Sequence, residues 1–200
     1  MSNYEKVFAY FQEQFRKLDL EEVAGRLGFG LTERNMEVPW FQETCEICRE
    51  TGEMRMRGEA MPVHDRLIIM HHICFSKPGA LHSEKWIPFR EVREAACFEL
   101  AYVRSAVEPM VKAFSGRTEE LKEACEALGG VPLQYGDLSY RIPIFPNISL
   151  IYIFYDQDEE FPASLNILFE STITSWTHPE SVPVLAETLS ERLLAVQANR

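Results

Sequence analysis

Apolar residues recur every third or fourth position near the start of the chain, where Tyr4, Val7, Phe8, Phe11, Phe15 and Leu18 share one helical face. Asp19 then stands where a helix needs a cap, and Glu22 follows three positions on, the arrangement of a capping box opening a shorter second helix. Gly28 or Gly30 ends that helix, because glycine adopts the left-handed turn that closes helices. Between Leu31 and Gly58 the pattern predicts two extended stretches, at about 33–40 and 53–58, joined by a loop that carries Cys45 and Cys48.

From Asp65 to Ser76 the chain is apolar nearly all round (Leu67, Ile68, Ile69, Met70, Ile73, Phe75), which predicts a buried helix. A loop containing Pro78, Gly79 and Trp86 follows, then helices from about Glu94 to Phe114, broken or kinked at Pro109. Thr118 starts another helix, with Leu121, Ala124, Cys125 and Leu128 inward and Gly129-Gly130 closing it. The character then changes: Tyr140 to Phe145, Leu150 to Tyr155 and Ala163 to Phe169 are rich in β-branched and aromatic residues. The middle strand is apolar on both faces, as a central strand is. Pro143 assigns the first to an edge or a bulge. Thr177-His-Pro-Glu180 caps a final helix that turns Val184, Leu185, Leu189, Leu193 and Val196 inward.

Helices before and after a meander of strands, without regular βαβ alternation, predict an α+β fold: helices packed on a mostly antiparallel sheet of four or five strands. No linker interrupts the pattern, so the expectation is a single domain over residues 1–200, a size that supports its own core.

Composition narrows the classes of function. Thirty-one acidic against 20 basic residues give a formal charge of −11, and no Lys/Arg cluster offsets it. Nucleic acid and anionic membrane surfaces are therefore excluded as partners, which leaves a small molecule or a protein. The longest apolar run, Ile148 to Tyr155, has the length of a strand and not of a membrane span. Met1 to Tyr10 does not read as a signal peptide. With five cysteines, an odd number, this points to reduced thiols in a cytoplasm.

A series of segments then carries a resemblance. These are Ile68-Ile-Met-His-His-Ile73, Lys85-Trp-Ile-Pro-Phe-Arg-Glu-Val92, Ala127-Leu-Gly-Gly130, Gly136-Asp-Leu-Ser-Tyr140, Phe145-Pro-Asn-Ile-Ser-Leu-Ile151, Asp158-Glu-Glu-Phe-Pro-Ala163 and Ile167-Leu-Phe-Glu170. In this order, within residues 67–198, they resemble domain-of-unknown-function family 3786 of anaerobic bacteria and archaea. The resemblance implies no particular activity. Some relatives carry an added cysteine-rich module for an iron–sulfur cluster, whereas the cysteines here form no four-ligand run. The family pattern resembles Phe-Asp where Phe169-Glu170 stands here.

Asp156-Gln-Asp-Glu-Glu160 is the most unusual local feature. Four carboxylates (Asp156, Asp158, Glu159, Glu160) in a loop between two strands repel one another, and Ca²⁺ or Mg²⁺ would relieve that. Phe161 stands where an EF-hand needs glycine, so this is not that motif. A solvated charged hairpin is the simpler reading, although Phe161-Pro162 argues for a loop packed back on the body. Cys45-Glu-Ile-Cys48 has knuckle spacing but no second pair, and its acidic surroundings should raise the thiol pKa. His71 and His72, adjacent on a helix, point about 100° apart and cannot face one metal; hydrogen-bonded histidines in a core or interface are expected. Gly136-Asp137 is a turn without the form of a phosphate loop. Trp86 is a core or rim aromatic, or the wall of a pocket for a flat ligand.

Three functions remain. The first is a non-catalytic protein that binds a small molecule or cofactor, with a corrinoid as one candidate. The second is an adaptor subunit of an anaerobic metabolic or redox system, docking through its acidic loop. The third is a metal-dependent enzyme that holds a divalent cation on loop 156–160.

Overall fold

The computed structural model describes residues 3–198, so Met1, Ser2, Asn199 and Arg200, at the ends of the expected domain span, lie outside it. Helix α1 (Asn3–Phe15) buries Phe8, Phe11 and Phe15. Tyr4 and Val7, expected inward, are exposed, because they lie at the open edge of the α1–α3 contact. In α2 (Leu20–Leu27), Asp19 Oδ1 accepts from the Glu22 N–H at 3.0 Å. Gly28 takes φ 71°, and the Phe29 N–H returns to the Ala24 carbonyl at 2.9 Å, the expected left-handed helix end.

The next stretch forms an antiparallel meander in chain order: β1 (Gly30–Leu31), β2 (Asn35–Trp40), β3 (Glu43–Cys48), β4 (Met54–Met56) and β5 (Glu59–Ala60). The cysteine pair therefore lies in strand β3 and not in a loop. Its apolar content is low, but Cys45 and Ile47 alternate with Thr44 and Glu46, and pairing with β2 completes the hydrogen-bond ladder.

Helix α3 (Val63–Phe75) is buried at Ile68, Ile69, Met70, His72 and Ile73. Trp86 departs from its expected loop. It opens β6 (Trp86–Pro88), a three-residue edge strand in register with Phe169 and Glu170. In the helical stretch that follows, α4 (Glu99–Tyr102) and α5 (Glu108–Phe114) are separated by five residues of wider π-type turn, Val103–Val107. Pro109 accounts for this, since a proline has no N–H to donate and its ring crowds the carbonyl four residues earlier. Helix α6 (Thr118–Ala127) ends at the expected glycine pair.

The second sheet is built from β7 (Val131–Pro132), β8 (Leu138–Phe145), β9 (Ile148–Tyr155) and β10 (Ser164–Glu170) together with β6, in the order β6-β10-β9-β8-β7, and every pair is antiparallel. β9 lies at the centre, as its continuous apolar run requires, and β8 shifts register between Pro143 and Phe145. The fold is thus α+β, with two antiparallel sheets of five strands each.

One contiguous core joins the sheets. The Phe41 N–H donates to the Ile144 carbonyl at 2.8 Å, and the Trp40 ring lies 4.8 Å from that of Phe145. Helix α7 (Ser181–Ala198) spans both: Arg192 sits over the Phe41 ring at 4.4 Å, and the Ser190 hydroxyl, 2.7 Å from that of Tyr152, donates to the Ala106 carbonyl. Among the described residues no helix is long and apolar enough to cross a membrane.

Candidate functional site

Loop 156–160 is a hydrogen-bonded turn at one end of the second sheet. Asp158 Oδ1 accepts from the N–H groups of Glu160 and Phe161 at 2.8 and 2.7 Å, which holds its carboxyl below the usual carboxylate range. Asp156 Oδ1 accepts from the Gly116 N–H at 2.7 Å, while Asp137, in the turn before β8, accepts from the Asp156 N–H at 2.8 Å and so braces the loop. Glu159 and Glu160 face solvent. Phe161 does not fold back onto the body; it is 65% exposed, because the two amide bonds to Asp158 turn the chain outward. Among the described residues no group of three or more His, Cys, Asp or Glu side chains is placed to hold a metal ion.

The cysteine spacing has a different consequence on a strand. Side chains three residues apart on a strand point to opposite faces, so Cys45 is buried inward while Cys48 is half-buried on the other side. Burial, aided by Asp65 and Glu46, pushes the Cys45 thiol up to about 12. Cys48 moves the opposite way from the expectation for acidic surroundings, because hydrogen bonds from Thr51 outweigh Glu50. Cys74 and Cys125 are pushed up to about 12 by burial. A thiol reagent at neutral pH should therefore label exposed Cys97 first and Cys48 next, with Cys45 and Cys125 reacting only in denaturant. Mass mapping over time gives this order, and early labelling of Cys45 would contradict it.

His71 and His72 point to different neighbourhoods, as helix geometry requires. His72 is fully buried, and its Nδ1 donates to the Trp176 carbonyl at 2.7 Å. Its ring lies 4.3 Å from that of Phe145, and Nε2 has no hydrogen-bond partner among the described residues. His71 Nδ1 is 2.7 Å from the Ser181 hydroxyl, and its ring lies edge-on to Phe11 at 4.6 Å. Burial pushes both imidazoles down to about 4, with His178 adding to the effect at His71, so both rings are uncharged at neutral pH.

His71 lines a cleft of about 400 Å³ between α1, α3 and the start of α7. Its walls are Tyr4, Val7, Leu67, Ile68 and Val184, and its polar groups are His64, His71, Glu180, Ser181 and Glu187. The exposure of Tyr4 (54%) and Val7 (43%), which contradicts a simple inward stripe on α1, gives this cleft its open aromatic rim. The Tyr4 and His64 rings stand 4.8 Å apart across it.

A second cluster was not legible in the chain, because its partners are 88 positions apart. Glu170, at the end of β10, accepts from His82 Nδ1 at 3.0 Å, from the Ser83 N–H at 2.5 Å and from the Thr172 hydroxyl at 2.7 Å. The His82 ring stacks on Trp176 at 4.7 Å. Beside it runs a groove of about 310 Å³ that also touches Trp86, Arg141, Asn147 and Ser149. The segment Trp176–His178 links the two places: the Trp176 carbonyl receives His72, its ring supports His82, and the His178 ring lies 5.2 Å from that of His71. The only advance signal was indirect, in that Trp86, Asn147 and Glu170 lie in segments that carry the resemblance.

With both sheets antiparallel and the helices outside them, the architecture defines an α+β protein. Residues 19–192 match the family described as domain of unknown function DUF3786, and the chain belongs to that family. No curated protein and no solved structure matches it.

Proposed function

We propose that this protein binds a small, flat, mostly apolar molecule in the cleft between α1, α3 and α7, and does so without catalysis. The observation that carries this reading is the lining: apolar and aromatic walls with a few convergent polar groups, the usual composition of small-molecule sites. The uncharged His71 ring and the Ser181 hydroxyl would orient a neutral head group, and Glu180 and Glu187 at the same cleft disfavour an anionic one. A corrin macrocycle outsizes a cleft of about 400 Å³, so a single aromatic ring system is the better match.

A thermal-shift screen of neutral aromatic compounds tests the proposal. A ligand at a hundredfold above its Kd should add about 2.7 kcal/mol of stability. Val7→Arg would crowd the rim at an exposed helix position, so the unliganded protein should change by no more than about 0.5 kcal/mol while the ligand shift disappears. A shift that survives Val7→Arg would remove the cleft from consideration. One observation favours an adaptor as a second reading: Phe161 stands exposed beside four carboxylates, a combination suited to a basic partner with an apolar pocket.

A further inference from the structure

We propose a second ligand site, distinct from the cleft, in the groove beside His82, where a small carboxylate bearing a hydroxyl or amine donor pairs with Arg141 through its carboxylate and donates to Nε2 of His82. Glu170 is only 8% exposed, and its oxygens serve three donors: the Ser83 N–H at 2.5 Å, the Thr172 hydroxyl at 2.7 Å and His82 Nδ1 at 3.0 Å. An ionised carboxylate only accepts, so Nδ1 carries the proton, and in the neutral ring it is Nε2 that keeps the lone pair. The ring is also fixed in orientation, lying on Trp176 at 4.7 Å and within 24° of parallel. Yet the His82 side chain is 56% exposed, and Nε2 has no hydrogen-bond partner among the described residues. A carboxylate that sets both tautomer and direction of an accessible imidazole is the arrangement by which proteins prepare a histidine to meet a ligand.

The rest of the groove supplies the complementary charge. Arg141 projects from the exposed side of β8 and has no ion-pair partner among the described residues, in a chain whose formal charge is −11. Its guanidinium is a ready two-pronged donor for a carboxylate. Asn147 and Ser149 add neutral hydrogen-bonding groups, and Trp86 forms an aromatic wall. The nearby Glu170 charge is offset by its three donors, so it opposes an anion less than a bare carboxylate would. A groove of about 310 Å³ lies at the small end of ligand sites, a size that suits a small organic acid.

The test uses the full chain with ¹⁵N-labelled histidine, followed by long-range ¹H–¹⁵N correlation spectra, and glycolate as the probe. The free protein should show His82 as the Nδ1–H tautomer. Glycolate should shift its Nε2 resonance saturably, with His71 and His178 unmoved, which separates this site from the cleft. Acetate, with the same charge and no hydroxyl, should bind about fivefold more weakly, and Arg141→Gln, at an exposed position, should weaken glycolate by about fivefold or more. In Glu170→Gln the amide oxygen can keep the Ser83 and Thr172 donors while its NH₂ turns to Nδ1, so His82 should switch to the Nε2–H tautomer. Should Glu170→Gln fail to fold, the Arg141→Gln and acetate comparisons still decide. An Nε2–H tautomer in the unmodified protein, no saturable shift with glycolate, or equal binding by Arg141→Gln would each overturn the proposal.

Discussion

Trp40→Ala should lower the unfolding free energy by roughly 3–5 kcal/mol, the range for removing a buried indole from a packed core. Trp40 ends β2 with none of its surface exposed, and its ring touches three different parts of the fold. It lies 4.7 Å from Phe41 and 4.8 Å from Phe145 of the second sheet, with the Arg192 guanidinium of α7 at 5.5 Å from its centroid. Truncation opens a cavity where the two sheets meet, and neighbours from separate elements cannot all collapse into it. The loss extends to Arg192, which is bonded to Asp65 at 3.3 Å and would keep only Phe41 as an aromatic face. Asp65 is already pushed above the usual carboxylate range by burial, so loosening its arginine adds to the cost. Urea unfolding followed by both far-UV and near-UV signals measures the effect. Because one core runs through both sheets, the two signals should move together. A loss below about 1.5 kcal/mol would mean that the sheet junction repacks easily.

The second large effect is on the dependence of stability on pH. The folded-state pKa of His72 is pushed down by burial from 6.5 to about 4, so the unfolded chain takes up a proton there before the folded protein does. The resulting contribution is complete above pH 6.5, is lost as pH falls from 6.5 to about 4, and is flat below that. Over this window the loss from His72 amounts to about 3 kcal/mol. His71 falls in the same window and the same direction. The carboxyls of Asp65 and Glu191, both raised mainly by burial, act oppositely, since a raised acid gains stability as it becomes protonated; they blunt the lower end of the curve. His72→Asn isolates the histidine, because the amide nitrogen can replace Nδ1 as donor to the Trp176 carbonyl and does not titrate. Its urea midpoint should be lower throughout but should fall less steeply between pH 6.5 and 4 than that of the unaltered protein. Parallel curves would show that His72 becomes protonated within the folded state at little cost.

Much of the architecture was written locally. The stripe Phe8, Phe11 and Phe15, the Asp19 cap, the Gly28 stop and the apolar run of β9 all act between residues a few positions apart, and each appears where the pattern places it. Pro109 shows how far such reasoning reaches. A disturbance in the helix was predictable, but its form, a wider turn over Val103–Val107, depends on how α7 and β10 pack against that segment. β3 marks the limit, because Glu43, Thr44 and Glu46 make it too polar to stand out until β2 and β4 pair with it.

The candidate sites divide in the same way. From the chain alone it followed that His71 and His72 face different directions, that the cysteine spacing has no second pair, and that loop 156–160 lies between two strands. Each of these depends on backbone geometry over a turn or a hairpin. Tertiary structure decided everything that needs partners far apart in sequence: the cleft that gathers Tyr4, His71 and Ser181, and the contact between His82 and Glu170. Periodicity reports which face of an element is buried, but not what that face meets. That assignment comes only from the pairing of β6 with β10 and the packing of α1 and α7 against α3, which carry these side chains to one another.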